Sequence, residues 1–253
     1  MFWKSEMQSA VAPNQAPASM PDRILRDPVG LGLSLLAMIS MGAALYAALI
    51  YAPTERLQGD VQRIVYVHVP LAWTAYLAFF VVFVASIGYL WKRARIYDAV
   101  ARSSAEVGLV LTTLMLIAGS LWAKPIWGTW WSWDARLTTT LLLWFIYVGY
   151  LMLRSSVDDE DRASRYAAII GIVGALDIPI IHQSVVWWRS LHPESVVLAS
   201  GGPAMPTTMF VALMISLFAF TVVYVVLVLL RTRLELARAD VKMLRRRALE
   251  RAA

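Results

Sequence analysis

Four tryptophans fall within eight residues, Trp127-Gly128-Thr129-Trp130-Trp131-Ser132-Trp133-Asp134. Membrane proteins usually place indole singly, at the headgroup level. A cluster this dense, beside Gly128 and an Asp134–Arg136 pair, suggests an aromatic platform with charged edges, suited to a flat aromatic ligand. If helical, the segment sets Trp127, Trp130, Trp131 and Asp134 at i, i+3, i+4 and i+7, on one face. The chain has three histidines, His68, His182 and His192, and no cysteine. Thiolate ligation and Cys-x-x-Cys redox chemistry are thereby excluded, and any metal chemistry uses few ligands. Imidazole is a common ligand of haem iron, and two trans imidazoles complete six-coordination. His68, in Arg63-Ile-Val-Tyr66-Val-His68-Val-Pro70, and His192, in Trp187-Trp188-Arg189-Ser-Leu-His192-Pro193, flank the aromatic segment in sequence. They are candidate ligands of a haem iron beside the tryptophans; a single histidine at a membrane boundary reads equally as a hydrogen-bonded interface residue.

Haem propionates are commonly met by Arg or Lys. Arg63 and Arg136 are the expected contacts, whereas Lys124 and Arg189 read equally as interfacial anchors. His182 lies inside an apolar stretch, after Asp177-Ile-Pro179. It is expected to satisfy a helix–helix hydrogen bond or the backbone carbonyl that Pro179 frees. Asp177 is ionisable within a span, where the default reading is functional; the structural role, as partner to a neighbouring helix, is preferred here.

These residues need elements to hold them. The 253-residue chain is 59% hydrophobic with mean hydropathy +0.61, too apolar for a soluble domain. Six stretches approach the roughly 20 apolar residues that a bilayer crossing takes: Leu31–Tyr51, Ile64–Trp91, Val107–Ala123, Leu137–Leu153, Tyr166–Trp187 and Met209–Leu230. The third and fourth are short, and the second is long enough to tilt. The expected fold is an all-α integral membrane protein of six transmembrane helices. Residues 31–230 form its helical domain, with the tryptophan-rich interfacial segment at 124–138. Residues 1–30 are polar and Pro-rich and read as a cytoplasmic tail, not a signal peptide; residues 231–253 form a basic cytoplasmic tail.

Lys and Arg set the orientation. Eighteen of the 23 lie in the tails and the second-to-third and fourth-to-fifth loops, against five in the other three loops. Both termini are therefore expected inside, with His68, the tryptophan segment and His192 together outside. The net charge of +6 is then mostly topology. The basic helix over Leu234–Leu249 is expected to lie along anionic membrane lipids or to meet a cytoplasmic partner, and no nucleic-acid partner is expected.

The segment Trp127 to Thr138 closely resembles the WWD motif of the haem-handling proteins of cytochrome c biogenesis. Within that group the chain is similar to the CcmC family, the haem exporter protein C of the system I maturation machinery. Lys124-Pro125 before the motif, Arg63 to Pro70, and Pro179-Ile-Ile-His182 through Trp187-Trp188 to Ser190-Leu191-His192 carry the same resemblance. It covers roughly Arg63 to His192. Larger WWD relatives continue Asp-Pro-Val-Glu-Asn where this chain has Asp134-Ala-Arg136-Leu-Thr138, and Val186 stands where some relatives have an acidic residue. The resemblance implies a protein of the bacterial inner membrane that holds haem at the periplasmic face and presents it to the haem chaperone CcmE for covalent loading. It implies work beside CcmA and CcmB, an ATP-binding cassette pair, and the small membrane protein CcmD. Under it His68 and His192 are the axial ligands, and Trp127, Trp130, Trp131, Trp133 and Asp134 the platform. No side chain is assignable as general acid or base, so a ligase-type (holo-CcmE synthetase) activity stays open. The alternatives are a subunit of an ABC-type complex that transports haem or another substrate, and a scaffold whose tryptophans only anchor it.

Overall fold

The computed structural model describes residues 28–188, 190–192 and 205–252. Residues 1–27, Arg189, residues 193–204 and Ala253 lie outside them. Among the described residues seven α-helices follow one another: α1 (Pro28–Tyr46), α2 (Val65–Lys92), α3 (Arg95–Trp127), α4 (Ala135–Ser156), α5 (Glu160–Ala175), α6 (Asp177–Trp187) and α7 (Thr207–Ala252). A five-residue π-helical turn, Ala47–Tyr51, ends the first span, and a 3₁₀ turn, Asp60–Ile64, leads into α2. Among the described residues, extended pairing is limited to one isolated bridge, Glu55 with Gly59. Six helical stretches are long and apolar enough to cross a membrane, with α5 and α6 together forming the fifth. Their outward faces expose Ile39, Phe80, Val84, Phe145 and Phe218, as surfaces solvated by lipid do.

Association in lipid relies on packing and interhelical hydrogen bonds, so small residues collect where helices meet. The α2–α3 contact follows this rule. Ala75, Ala78 and Ala85 of α2 and Ala101, Ser104 and Ala105 of α3 are all buried, and the Ser104 hydroxyl bonds both the Ala78 carbonyl (2.7 Å) and the Tyr224 hydroxyl of α7 (2.8 Å). The larger side chains fill the space between α2, α4 and α5: Phe79 stacks on Tyr147 with ring centroids 3.8 Å apart, and Tyr150 and Ile181 close the cluster.

The helices run well past their apolar stretches. The third, expected over Val107–Ala123, is 33 residues long, and the fourth is 22. Counting apolar residues alone missed the polar turns that ion pairs support. Asp98 and Arg154 form a two-pronged pair at 2.6 and 2.7 Å that ties α3 to α4. Arg231 of α7 bonds Glu106 of α3 and Glu235 one turn on, and Arg102 reaches Glu235 at 2.8 Å. The basic tail is correspondingly no separate surface helix. It continues the sixth span as one 46-residue helix, about 69 Å at 1.5 Å per residue against a hydrocarbon core of about 30 Å. Lys242 pairs with Glu160, and Arg95 with Asp240. The fifth span breaks at Leu176, whose N–H turns back to the Val173 carbonyl (3.1 Å). Pro179 then sits in the first turn of α6, where a missing N–H is least costly.

The Arg154 side chain is only 9% exposed, so its charge depends on Asp98. Asp98→Ala should destabilise the protein by about 3 kcal/mol, and the double change with Arg154→Leu should recover much of that, as read from denaturant titrations in detergent.

Candidate functional site

The start of α2, the end of α3, the loop 128–134, the start of α4 and the segment after α6 meet at one end of the bundle. Direct contacts join them. His68 Nδ1 lies 3.1 Å from the Met115 carbonyl of α3. His192 Nδ1 lies 3.3 Å from Asp134 Oδ2. A carbonyl oxygen and an ionised carboxylate only accept, so each bond requires its imidazole to carry the proton on Nδ1. Nε2 of both rings makes no hydrogen bond among the described residues. Metal-binding histidines typically show this state, in which the second nitrogen is held by a carbonyl or carboxylate.

Each ring also meets an indole edge. Trp122 approaches His68 at 5.9 Å between centroids, and Trp127 approaches His192 at 5.0 Å, both at 68°. Trp122 is fixed in turn by its N–H bond to Gln58 Oε1 (3.1 Å). Burial holds His192 below its ordinary pKa, Asp134 partly offsets this, and Arg136 adds to the lowering. The lowering favours the neutral ring, which with its proton on Nδ1 carries a lone pair on Nε2.

The tryptophan segment is not helical. Gly128 adopts φ +74, its N–H closing on the Lys124 carbonyl, and this left-handed residue ends α3. Residues 129–134 form a loop until Asp134 caps α4 by accepting the Leu137 N–H at 3.0 Å. The shared face expected from helical spacing is therefore lost. Trp130 and Trp133 are exposed, while Trp127 and Trp131 are half-buried. Trp131 and Trp133 meet edge-on at 78°, so the indoles make a corner and not a flat shelf. Asp134 carries three bonds at once: the helix cap, the Ser132 hydroxyl (3.2 Å) and His192.

The cations divide. Arg136 donates through Nη2 to the His182 carbonyl (3.5 Å), and its Nε, like Trp131 Nε1, is a buried donor without a partner among the described residues. Buried donors are normally satisfied, so these two suit a ligand that brings acceptors. Arg63 instead donates to the Ala48 and Ala52 carbonyls, to Thr54 and to Asp60, closing the carbonyl end of the first span. A propionate contact there would have to displace those bonds. Lys124 donates to the Gly128 carbonyl (2.9 Å) and lies 6.0 Å from the Trp130 ring. The His182 ring is exposed; its backbone carbonyl, not its ring, makes the interhelical bond. Asp177 is buried, with Oδ2 unpartnered among the described residues. Met115 and Trp122 escaped the sequence reading. Their only sequence signal is a seven-residue spacing that puts both on one side of α3.

A family model described as heme exporter protein C matches residues 19–247. A heme exporter protein C of Bradyrhizobium diazoefficiens is 39% identical over 212 residues, covering 84% of this chain and 80% of its own. Similar proteins of the same description come from Haemophilus influenzae (36% over 210 residues, 83% and 85%) and Escherichia coli K12 (41% over 185 residues, 72% and 74%).

In protein labelled with ¹⁵N-histidine, the His192 ring should titrate below the ordinary imidazole value of about 6.5. Asp134→Asn should lower it further, since the offsetting charge is gone. Asn still caps a helix, so stability should change by less than about 1 kcal/mol.

Proposed function

Because the chain belongs to the heme exporter protein C family, a membrane family of haem handling in cytochrome c maturation, we propose that it holds haem b between His68 and His192. The Nε2 atoms are the iron ligands. Trp127 and Trp131 line the site, and Trp130, Trp133 and Asp134 complete the platform and its edge. Arg136 meets a propionate, its orphaned Nε being the best-placed cationic donor. The site faces the periplasm on the bacterial inner membrane, and the haem is passed from it to CcmE, beside CcmA, CcmB and CcmD.

One observation carries this reading: two imidazoles from segments far apart in sequence each commit Nδ1 to a protein acceptor and leave Nε2 without a hydrogen bond among the described residues. A structural histidine at a membrane boundary has no need of that state twice at one site. His68 and His192 would hold the haem through its iron and tune that iron's electronic state, and fixing both partners would make transfer to a docked chaperone effectively local. The exposed Trp130 and Trp133 suit contact with that chaperone. Loss of CcmE loading in Trp130→Phe/Trp133→Phe protein that keeps its haem would support this assignment.

Purified protein should show a six-coordinate visible spectrum. His68→Gly/His192→Gly should lower haem per protein at least about 10-fold and abolish that spectrum; full haem retention by the double variant would refute the ligand assignment.

A further inference from the structure

Three residues of α3 face His68 on successive turns. Met115 supplies the carbonyl for Nδ1, Trp122 supplies the indole edge, and Gly119 lies between them. A Cβ built at Gly119 would stand 2.8 Å from His68 Cε1, 3.3 Å from Nδ1 and 3.8 Å from Nε2. All three of its nearest neighbours are atoms of the one imidazole. The ring lies directly on the helix backbone, and any side chain at position 119 would occupy its place. It has little room to retreat without stretching the Nδ1 bond to Met115 on one side or meeting Trp122 on the other.

We propose that Gly119 is a positioning residue for the haem ligand His68: by lacking a side chain it lets the Cε1 edge of the imidazole come against α3, where the Met115 carbonyl fixes the tautomer. The inference rests on the reading of His68 as an iron ligand. By helix geometry the Met115 carbonyl also accepts the Gly119 N–H, four residues on. The atom that fixes the tautomer and the residue that makes room for the ring are thus coupled through one backbone turn.

Close helix packing alone would also use glycine, and the same helix pair offers the comparison. Gly108 of α3 is equally tight, its Cβ falling 2.9 Å from both Ala78 Cβ and Phe79 Cε1 of α2. It touches no histidine. A methyl at either position presses on α2, but only the one at 119 presses on the ligand ring.

The test uses full-length protein with Gly119→Ala, Gly108→Ala, His68→Gly and the double variant Gly119→Ala/His68→Gly. Haem-free, ¹⁵N-histidine-labelled protein reports three rings, and His68→Gly assigns one of them. Gly119→Ala should remove the hydrogen-bonded Nδ1–H signature of His68, lower haem per protein about 10-fold and let added imidazole restore six-coordination. Gly108→Ala should leave the His68 signals and the spectrum as in the wild type. If Gly119→Ala folds poorly, the double variant should melt higher than it does, since removing the ring makes room for the methyl. An unmoved His68 ring in Gly119→Ala, the same ring change in Gly108→Ala, or a double variant no more stable than Gly119→Ala would each overturn the inference. A wild-type spectrum in His68→Gly is a separate failure: it removes the ligand reading and the positioning role with it, whereas an unmoved ring overturns the role of Gly119 alone.

Discussion

The bond between His68 Nδ1 and the Met115 carbonyl joins α2 to α3 at the mouth of the bundle, and the geometry of the site follows from it. Near lipid a polar ring without a partner is costly, so an imidazole at that depth needs an acceptor from the protein. An α-helix normally uses its carbonyls internally. Sharing one with a histidine requires the ring to come very close to the backbone, which the small α2–α3 interface permits. The small residues lower in the same interface, Ala78, Ser104 and Ala105, belong to the same constraint: the two helices approach closely along their length, and the ring uses that closeness at one end.

The second imidazole is held by a different device with the same chemical result. His192 follows the last turn of α6, and its acceptor is the carboxylate that caps α4. Asp134 therefore links the folding of the loop to the state of the ring. The cap fixes where α4 begins, the left-handed Gly128 fixes where α3 ends, and the intervening residues turn Trp131 inward while Trp130 and Trp133 face out. A continuous helix through this segment would have carried Asp134 away from the cap position. Breaking the helix divides the four tryptophans between the interior and the outer surface.

The opposite end of the molecule is built from charge. Asp98 with Arg154, and Arg102, Glu106, Arg231 and Glu235 as a network, bind α3, α4 and α7 where they leave the apolar zone. The concentration of ion pairs at one end and of histidine and indole at the other gives the bundle two chemically distinct faces.

Much of this was legible in the chain itself. Hydropathy located six spans, and the tryptophan segment and His192, read from their residue types as one cluster, do meet. These signals lie in the composition and spacing of neighbouring residues. Helix ends were legible only in part, because ion pairs between helices extend α3 and α7 beyond their apolar cores. The site itself was decided by tertiary structure. The partner of His68 lies 47 residues along the chain and that of His192 58 residues, and no periodicity reports such pairs. Arg63 and Arg136 look alike in sequence, yet one closes the first span and the other keeps a free donor in the cluster. Gly119 is one of thirteen glycines until an imidazole is seen against it. Composition and period determine which face of a helix is apolar; what that face meets depends on contacts between distant segments, which exist only once the helices have packed.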